Sequence, residues 1–455
     1  MDTVSPTTDA HRQLTTDLAE RGVKYVVGSF VDITGRAKSK VVPIDHLPNL
    51  LAGSERYTPR GLGELGQMTP HEDECVAMPD PSTVRVMPWD PTFAWMAADL
   101  LYGGTEPFAH CTRSMLKGQL AVAQERGFVF NLGVETEIYA YKPDAIGADG
   151  YLGPIAPSGR IDPTPGYDVE STLDAMPFLD PMVRYMNESG FGIYSFDHEG
   201  GDAQFEFDFQ YAPALEMADK ITFFRLMAKQ VAKSAGLAVT FMPKPYTDAW
   251  GSGHHFNMSL TDVESGQNLF RDVDGPRGWS KLCYGFIAGI VRHAAALAAI
   301  ATPTVNSYKR LVPRLTDGCV SWAPVWAAYG DNNRSCMLRL PRNRPCLENR
   351  AVDSAANTYA AAAFMLAAGL EGIAEGLDPG EPIEDLMYDS TKRSDAVRLP
   401  RNLLEAIDAF EADPLSHSVF PAEFVSAYVE MKNNEWDAYH SQVSEWERDK
   451  YLAMF

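Results

Sequence analysis

Two carboxylates on one face of a predicted strand are the first residues in this chain that could do chemistry. In residues 131–141, NLGVETEIYAY, apolar side chains alternate with a second set that includes Glu135 and Glu137. This period of two, with β-branched and aromatic residues, predicts a strand buried on one side. The two carboxylates would lie roughly 6.5–7 Å apart along the strand, and they would resist ionising together unless a cation lay beside them. Alone, the pattern fits a solvated strand face as well as a metal site.

A second stretch shows the same alternation and favours the metal site. Residues 204–210, QFEFDFQ, place three phenylalanines on one face and Glu206 and Asp208 on the other, and Glu199 lies seven residues before Glu206. Two strands of this kind could lie side by side in one sheet and share an acidic face. We interpret the two stretches as parts of one cation site.

Glycine and histidine are combined in residues 250–257, WGSGHHFN. Gly251 and Gly253 permit a ligand to approach the backbone closely. His254 and His255 offer imidazole groups as metal ligands. Only one of two neighbouring side chains can face a given site, so one of the pair has a structural role.

Arginines are concentrated between residues 302 and 350. The planar guanidinium group binds carboxylates and phosphates through two parallel hydrogen bonds. The cluster therefore favours a binding site for such anions over a set of solvated counter-charges. The arginines are Arg310, Arg334, Arg339, Arg342, Arg344 and Arg350.

The composition excludes several classes of function. The chain has 61 acidic and 39 basic residues, a formal charge of −22, which argues against binding to nucleic acid. Its six cysteines form no CxxC pair, which is typical of a reducing cytosol. The N-terminal residues lack the pattern of a secretory signal. The most apolar segments are interrupted or too short to span a bilayer. We therefore expect a cytoplasmic protein that does not bind membranes.

These residues must be positioned by a mixture of helices and strands. Helices are predicted at residues 8–21, 109–126, 213–234 and 279–300, and through most of the chain after residue 354. Strands are predicted at residues 23–31, 37–42, 131–141, 204–210, 237–243 and 256–260. Residues 142–183 are rich in Gly, Pro and Asp, and we expect a long loop with short strands there.

Taken together, the motifs resemble the glutamine synthetase family along essentially the whole chain. The segments that carry this resemblance are GVETEIY, FDHEGGDAQFEF, TFMPKPYTDAWGSGHHFNMSL, PTVNSYKRLVP, DNNRSCMLRLP and LENRAVDSAANTY, in that order. The resemblance implies an α+β fold, with a small N-terminal β-grasp domain at residues 1–104. Residues 105–455 would form a large catalytic domain with a curved antiparallel sheet. It also implies a ring-shaped homo-oligomer, commonly a dodecamer.

The resemblance assigns roles to individual positions. Glu137, Glu199 and Glu206 would hold one divalent ion, and Glu135, His255 and Glu348 a second. Mostly oxygen ligands favour Mg²⁺ or Mn²⁺, with two or three ions per active site in the family.

The remaining assignments concern the substrates. Glutamate would be bound by Gly251, His255, Arg310 and Arg350, and ATP by Asn257, Ser259, Arg334, Arg339 and Arg344. The catalytic residues would be Glu137, Arg310, Arg334 and Arg339. Asn257 replaces the more usual histidine.

The implied reaction is an ATP-dependent ligation. ATP would phosphorylate the side-chain carboxylate of glutamate, and a neutral amine would then displace phosphate to leave a γ-glutamyl amide. The chain departs from the ammonia-using members at the amine pocket. Trp322 stands where these members have a flap glutamate, and Asp317 is the nearest acid. The aspartate that the neighbouring subunit supplies in these members is also missing, and Glu64 is the acid nearest to its position. An aromatic face can receive an alkylammonium group, so the chain resembles the γ-glutamylmethylamide synthetase subgroup.

Several alternatives remain open. A divergent glutamine synthetase that uses ammonia is the main one. A ligase for polyamines or ethanolamine would need a roomier amine pocket, and an inactive structural relative would not need all six metal ligands. Tyr388 resembles the adenylylated tyrosine of some bacterial relatives, but the residues after it lack the usual Leu-Pro, which argues against such regulation.

Overall fold

A seven-stranded sheet occupies the N-terminal part of the chain. The computed structural model describes residues 8–58, 74–144, 155, 159, 165–314, 318–388 and 396–455. The strand order is β2-β1-β6-β4-β3, with β5 and β7 also paired to β6, and β1 runs parallel to β6. The strands are β1 (Tyr25–Val31), β2 (Ala37–Pro43), β3 (Arg56–Tyr57), β4 (Cys75–Pro79), β5 (Arg85–Val86), β6 (Phe93–Tyr102) and β7 (Glu106–Pro107), and the helices are α1 (Asp9–Glu20) and α2 (Leu47–Leu51).

A second sheet of nine strands carries the predicted acidic strands. Its order is β15-β16-β17-β13-β8-β10-β9, with β11 and β12 also paired to β8. Apart from β15 with β16, every pair in it is antiparallel. The strands are β8 (Phe128–Tyr141), β9 (Ile193–His198), β10 (Gln204–Phe209), β11 (Ala212–Pro213), β12 (Ala238–Thr240), β13 (His254–Asp262), β15 (Tyr329–Asp331), β16 (Leu338–Leu340) and β17 (Leu347–Asn349), while β14 (Trp326–Ala327) pairs with β18 (Val397–Arg398).

Helices cover the apolar side of this second sheet. The helices are α3 (Thr112–Glu125), α4 (Val169–Asp174), α5 (Met176–Glu188), α6 (Ala214–Ser234), α7 (Lys281–Arg292), α8 (Ala294–Ala301), α9 (Ser307–Arg310), α10 (Thr358–Glu375), α11 (Leu403–Ala412), α12 (Pro414–Val419), α13 (Ala422–His440) and α14 (Glu445–Tyr451). The mixed α and β architecture confirms the predicted fold class. The boundary between domains at residues 104 and 105 stays a prediction.

The phenylalanines of β10 show why its carboxylates face away from the core. Phe205 and Phe207 are fully buried. The rings of Phe207 and Phe209 lie 5.6 and 6.3 Å from that of Phe224 on α6. Because side chains alternate along a strand, this packing directs Glu206 to the opposite face.

The Ala-rich helix α10 is buried because it packs unusually close to α7. A Cβ atom on Gly289 of α7 would lie only 1.9 Å from the carbonyl oxygen of Ala368 on α10. The two helices can approach this closely only because glycine has no side chain. Within the described ranges, no single helix is long and apolar enough to cross a membrane; the bent pair α7 and α8 passes by length and composition only.

Three element predictions were wrong in part. The predicted helix over residues 279–300 is two helices, α7 and α8, that meet at a 75° angle. The predicted strand at residues 237–243 is limited to Ala238–Thr240. The expected loop over residues 142–183 contains α4 and the start of α5, where Phe178, Leu179 and Met182 form a buried apolar face. Pro177 lies in the first turn of α5, where proline is compatible with a helix, whereas Pro181 lies inside the helix.

Candidate active site

Strand pairing brings the predicted metal ligands onto one face of the nine-stranded sheet. β8 lies between β13 and β10. Glu137 of β8 is paired with Glu206 of β10, and Glu135 of β8 with His255 of β13. The two acidic strands are therefore neighbours, as the alternation in the sequence predicts.

The first group of ligands consists of three carboxylates. One oxygen from each of Glu137, Glu199 and Glu206 lies within 4.8 Å of the others. Backbone and side-chain donors fix two of them, because Oε2 of Glu137 accepts from the amide of Gly253 at 2.8 Å and from Gln204 at 3.0 Å. The backbone amide of Gly200 donates to Oε2 of Glu199 at 3.1 Å.

Burial and mutual repulsion make this group unfavourable without a cation. Burial and the charge of Glu199 raise the pKa of Glu137 to about 8. Burial and the charges of Glu135 and Glu137 raise the pKa of Glu206 well above its ordinary value. A bound divalent cation would reverse both effects, since an opposite charge at close range favours the ionised form.

The second group combines two carboxylates with an imidazole. Ligand atoms of Glu135, Glu206 and His255 also lie within 4.8 Å of one another. Burial and the charge of Arg350 lower the pKa of His255 to about 4, so its ring is neutral at physiological pH. Its Nδ1 atom is buried without a hydrogen-bond partner, 3.4 Å from Oε2 of Glu135. A buried lone pair of this kind is available to a metal ion.

Glu348 differs from the arrangement that the resemblance implies. The fully buried carboxylate contacts Arg350 through Oε1 at 2.5 Å and Arg339 through Oε2 at 2.6 Å. Its Oε1 atom lies 4.0 Å from Nδ1 of His255. In the group around His255, Glu206 stands in the place expected for Glu348. Glu206 therefore belongs to both groups of ligands.

The two groups fit divalent cations. Five oxygen-bearing or nitrogen-bearing side chains converge there, namely Glu135, Glu137, Glu199, Glu206 and His255. Oxygen-rich sites of this type suit Mg²⁺ or Mn²⁺ better than zinc.

Arg310 and Arg350 lie beside the carboxylates and are held by the backbone. Arg310 donates to the carbonyl oxygens of Ala351 and Arg350, each at 3.0 Å. A Cβ atom on Gly251 would lie 2.5 Å from Cγ of Arg310. Glycine at this position is therefore what allows the arginine to pack against the backbone.

The residues predicted to bind phosphate or ATP are not equally close to the carboxylates. Asn257 and Arg344 both donate to Oε1 of Glu135, at 3.0 and 2.7 Å. Ser259 lies further along β13, opposite Asn131, and Arg334 is exposed. Arg339 binds Asn332 at 2.7 Å as well as Glu348.

Sequence reasoning missed two residues of this face. Gln204 is a direct partner of Glu137, and Asp197 of β9 is paired with Glu206. Burial and the charge of Glu199 raise the pKa of Asp197 to about 7. The sequence contains a pattern that could have identified Asp197, because Asp197 and Glu199 repeat the two-residue spacing of Glu135 and Glu137 in β8.

The segment at the predicted amine pocket is held by a tyrosine. Trp322 has a positive φ of 55° and a side chain that is 39% exposed. The hydroxyl of Tyr388 donates to the carbonyl oxygen of the next residue, Ala323, at 2.6 Å. Asp317 and Glu64 lie outside the described residues.

Comparison with known proteins shows which family the chain matches and which proteins are similar to it. The family description "Glutamine synthetase, catalytic domain" matches residues 109–451. A glutamate–methylamine ligase from Methyloversatilis universalis is 38% identical over 96% of this chain and 98% of that protein. A glutamine synthetase from Rhizobium leguminosarum bv. phaseoli is 37% identical over 96% of this chain and all of that protein.

Solved structures of similar proteins extend the match to the fold. A GmaS–ADP complex superposes with a TM-score of 0.88 at 36% identity, over 97% of this chain and 99% of that one. The structure of GmaS without ligand superposes with a TM-score of 0.87 at 36% identity, over 96% of this chain and 99% of that one.

Proposed function

Because the chain belongs to the glutamine synthetase family, we propose that it is an ATP-dependent ligase that joins L-glutamate to methylamine. The observation that supports a ligase is the convergence of Glu135, Glu137, Glu199, Glu206 and His255 beside the buried arginines. The choice of methylamine is supported by Trp322 at the flap position and by the similarity to a glutamate–methylamine ligase.

The side chains of the site have separate tasks in this reaction. Arg310 and Arg350 would bind the carboxylate of glutamate, since a rigidly held guanidinium group matches that anion. Arg334 and Arg339 would offset the charge on the phosphoryl group during its transfer. A divalent cation, held by the two groups of ligands, would supply further charge neutralisation between the nucleotide and the carboxylate.

The second half of the reaction requires an amine without its proton. Methylamine is mainly protonated at neutral pH, so it would bind as the methylammonium ion and then lose a proton to a nearby carboxylate before it attacks the γ-glutamyl phosphate. The ring of Trp322 would receive the methylammonium group through a cation–π contact. Attack then forms the amide bond and releases phosphate.

An amine panel tests this proposal. We expect phosphate release from ATP and glutamate with methylamine, and much less with ammonia. Trp322→Glu should shift the ratio of kcat/KM values toward ammonia by about tenfold, because one methyl group is worth roughly 1–3 kcal/mol. Trp322→Phe, which keeps an aromatic face, is the matched control and should retain the preference.

Other outcomes select the alternatives. Phosphate release with ammonia but not with methylamine would make the protein a glutamine synthetase, a function favoured by its 37% identity to the rhizobial enzyme. A preference for ethanolamine or a polyamine would indicate a roomier pocket. A failure to release phosphate with any of the amines, together with no metal binding, would indicate an inactive structural relative.

We also propose that the active protein contains two or three Mg²⁺ or Mn²⁺ ions per site and forms a ring-shaped homo-oligomer, a dodecamer by family resemblance, in the cytoplasm. Family membership supports a dependence on ATP and a divalent metal in general. Light scattering of the purified protein measures the mass of the assembly and so the number of subunits. A mass that does not correspond to one ring or to two stacked rings of subunits would contradict the proposed oligomer.

A further inference from the structure

A second cavity lies apart from the candidate active site. It has a volume of about 620 Å³ and is lined by the loop between β1 and β2, by α6, by α13 and by residues 354–357. None of the residues assigned above to metal, glutamate or ATP lines it. Its size falls within the usual range for small-molecule sites, about 300–1,000 Å³.

The cavity is basic in a chain that is strongly acidic. Five cationic and two acidic side chains line it, whereas the whole chain carries −22. Both acids are already paired, Asp32 with Lys38 at 3.8 Å and Glu435 with Lys432 at 2.8 Å. Among the described residues, the other three cations form no ion pair within 4 Å, although the charge of the buried Asp353 acts on Arg225 from behind the cavity wall.

These three cations lie on the loop between β1 and β2 and on α6. Arg225 forms the inner wall, and its guanidinium group donates to the carbonyl oxygens of Ser354 and Ala356, each at 2.8 Å. Its Nε atom is buried and has no hydrogen-bond partner. Arg36 and Lys229 are exposed at the rim. Partial burial and, after it, the like charges of Arg225 and Arg36 lower the pKa of Lys229, so the three cations lie close enough to act on one another.

Aromatic side chains complete the walls. The guanidinium carbon of Arg225 lies 5.5 Å from the centre of the Phe241 ring, and Phe424 and Tyr428 also line the cavity. A ligand with a small organic body could contact these rings while its charges meet the cations. The excess of cationic side chains would repel a metal cation.

We propose that this cavity binds a small anion with two negative charges, a dicarboxylate or a phosphate compound, and that Arg36, Arg225 and Lys229 recognise it. The proposal does not rest on the proposed ligase chemistry, because the cavity shares no lining residue with the metal, glutamate or ATP sites. Its three cations suit both carboxylate and phosphate oxygens. A dicarboxylate and a phosphate are therefore tested separately.

Binding to the full-length protein tests the proposal. Succinate and inorganic phosphate are titrated separately by calorimetry, with saturating ADP and glutamate present so that the candidate active site is occupied. We expect at least one probe to bind, and the double variant Arg36→Ala, Lys229→Ala to weaken that binding by about tenfold or more. Both residues are exposed, so the variant should fold, and an unchanged melting temperature will show it.

A matched control lies on the same helix. Lys233 of α6 is exposed but does not line the cavity, so Lys233→Ala should bind the probe as the wild type does. Equal binding by the double variant would place the probe elsewhere and overturn the proposal, as would the failure of both probes to bind. Neither result bears on amine ligation, which the amine panel measures separately.

Discussion

At the scale of single residues, the site depends most on Glu206. Its carboxylate belongs to both groups of ligands, one with Glu137 and Glu199 and the other with Glu135 and His255. It is also the group whose pKa burial and neighbouring charges raise well above its ordinary value. The same residue is thus unfavourable to ionise without metal, and it is shared by both groups of metal ligands.

Glu206→Gln should therefore separate stability from activity. Removing the charge relieves repulsion, so we expect the metal-free variant to melt at the same temperature as the wild type or higher. Binding of Mn²⁺, measured by calorimetry, should weaken by about 10–100-fold, and phosphate release should fall at least as far. Asp208→Asn is the control, because Asp208 is on the same face of β10 but in neither group. Unchanged metal affinity in Glu206→Gln would contradict the assignment.

Alternation along the sequence was sufficient to place these acids on one face, but not to place all their partners. It identified Glu135, Glu137 and Glu206 because strand periodicity is local. The pairing of Glu348 with Arg339 depends on two short strands, β16 and β17, that come together only in the folded sheet. A contact of that kind leaves no periodic signal.

At the scale of elements, the break between α7 and α8 was not visible in the sequence. Residues 279–300 read as one apolar helix, yet the chain turns by 75° at His293. The ring of His293 contacts Asp413 at 2.8 Å through Nδ1 and Glu371 at 2.9 Å through Nε2. Glu371 belongs to α10 and Asp413 lies between α11 and α12, so only the tertiary structure brings the two carboxylates to the bend.

The bend should be more stable when His293 is protonated. Burial alone would lower its pKa, but hydrogen bonds to Asp413 and Glu371 raise it above the ordinary value. A raised folded pKa gives stability that is complete below the unfolded pKa of about 6.5 and is lost as pH rises through the folded pKa. His293→Gln should cost about 2 kcal/mol at pH 6 and less at pH 9.

Melting temperatures between pH 6 and pH 9 measure this effect. The difference between wild type and His293→Gln should shrink as pH rises. His417→Gln, at an exposed histidine of the nearby helix α12, is the control and should show no such trend. A pH-independent difference for His293→Gln would mean that the protonated ring does not support the bend.

At the scale of the whole molecule, buried acids and a charge of −22 act in the same direction. Both oppose the compact state through repulsion, and both are relieved by divalent cations. The overall α+β class and the family were evident from sequence, since they rest on motifs spread along the chain. The helices α4 and α5 were not, because the composition around them favours a loop while the apolar residues of α5 pack as a helix.

Magnesium should stabilise the protein beyond the effect of general screening. At 100 times its dissociation constant, a ligand of the native state adds about 2.7 kcal/mol, which for a chain of this size raises the melting temperature by about 3 °C. Calorimetric scans with Mg²⁺ and with EDTA measure the difference. NaCl at equal ionic strength is the control and should give a smaller shift, and an equal shift would show that no specific site is filled.

Ser354 faces two directions at once. Its carbonyl oxygen accepts from Arg225 in the basic cavity, while its hydroxyl donates to the backbone oxygens of Glu137 and Gly253 at 2.8 and 2.9 Å. An anion that drew Arg225 away from Ser354 would release one of the contacts that hold the backbone beside a metal ligand. Coupling of this kind is reciprocal, so such an anion would change the affinity for magnesium by the same factor by which magnesium changes the affinity for the anion.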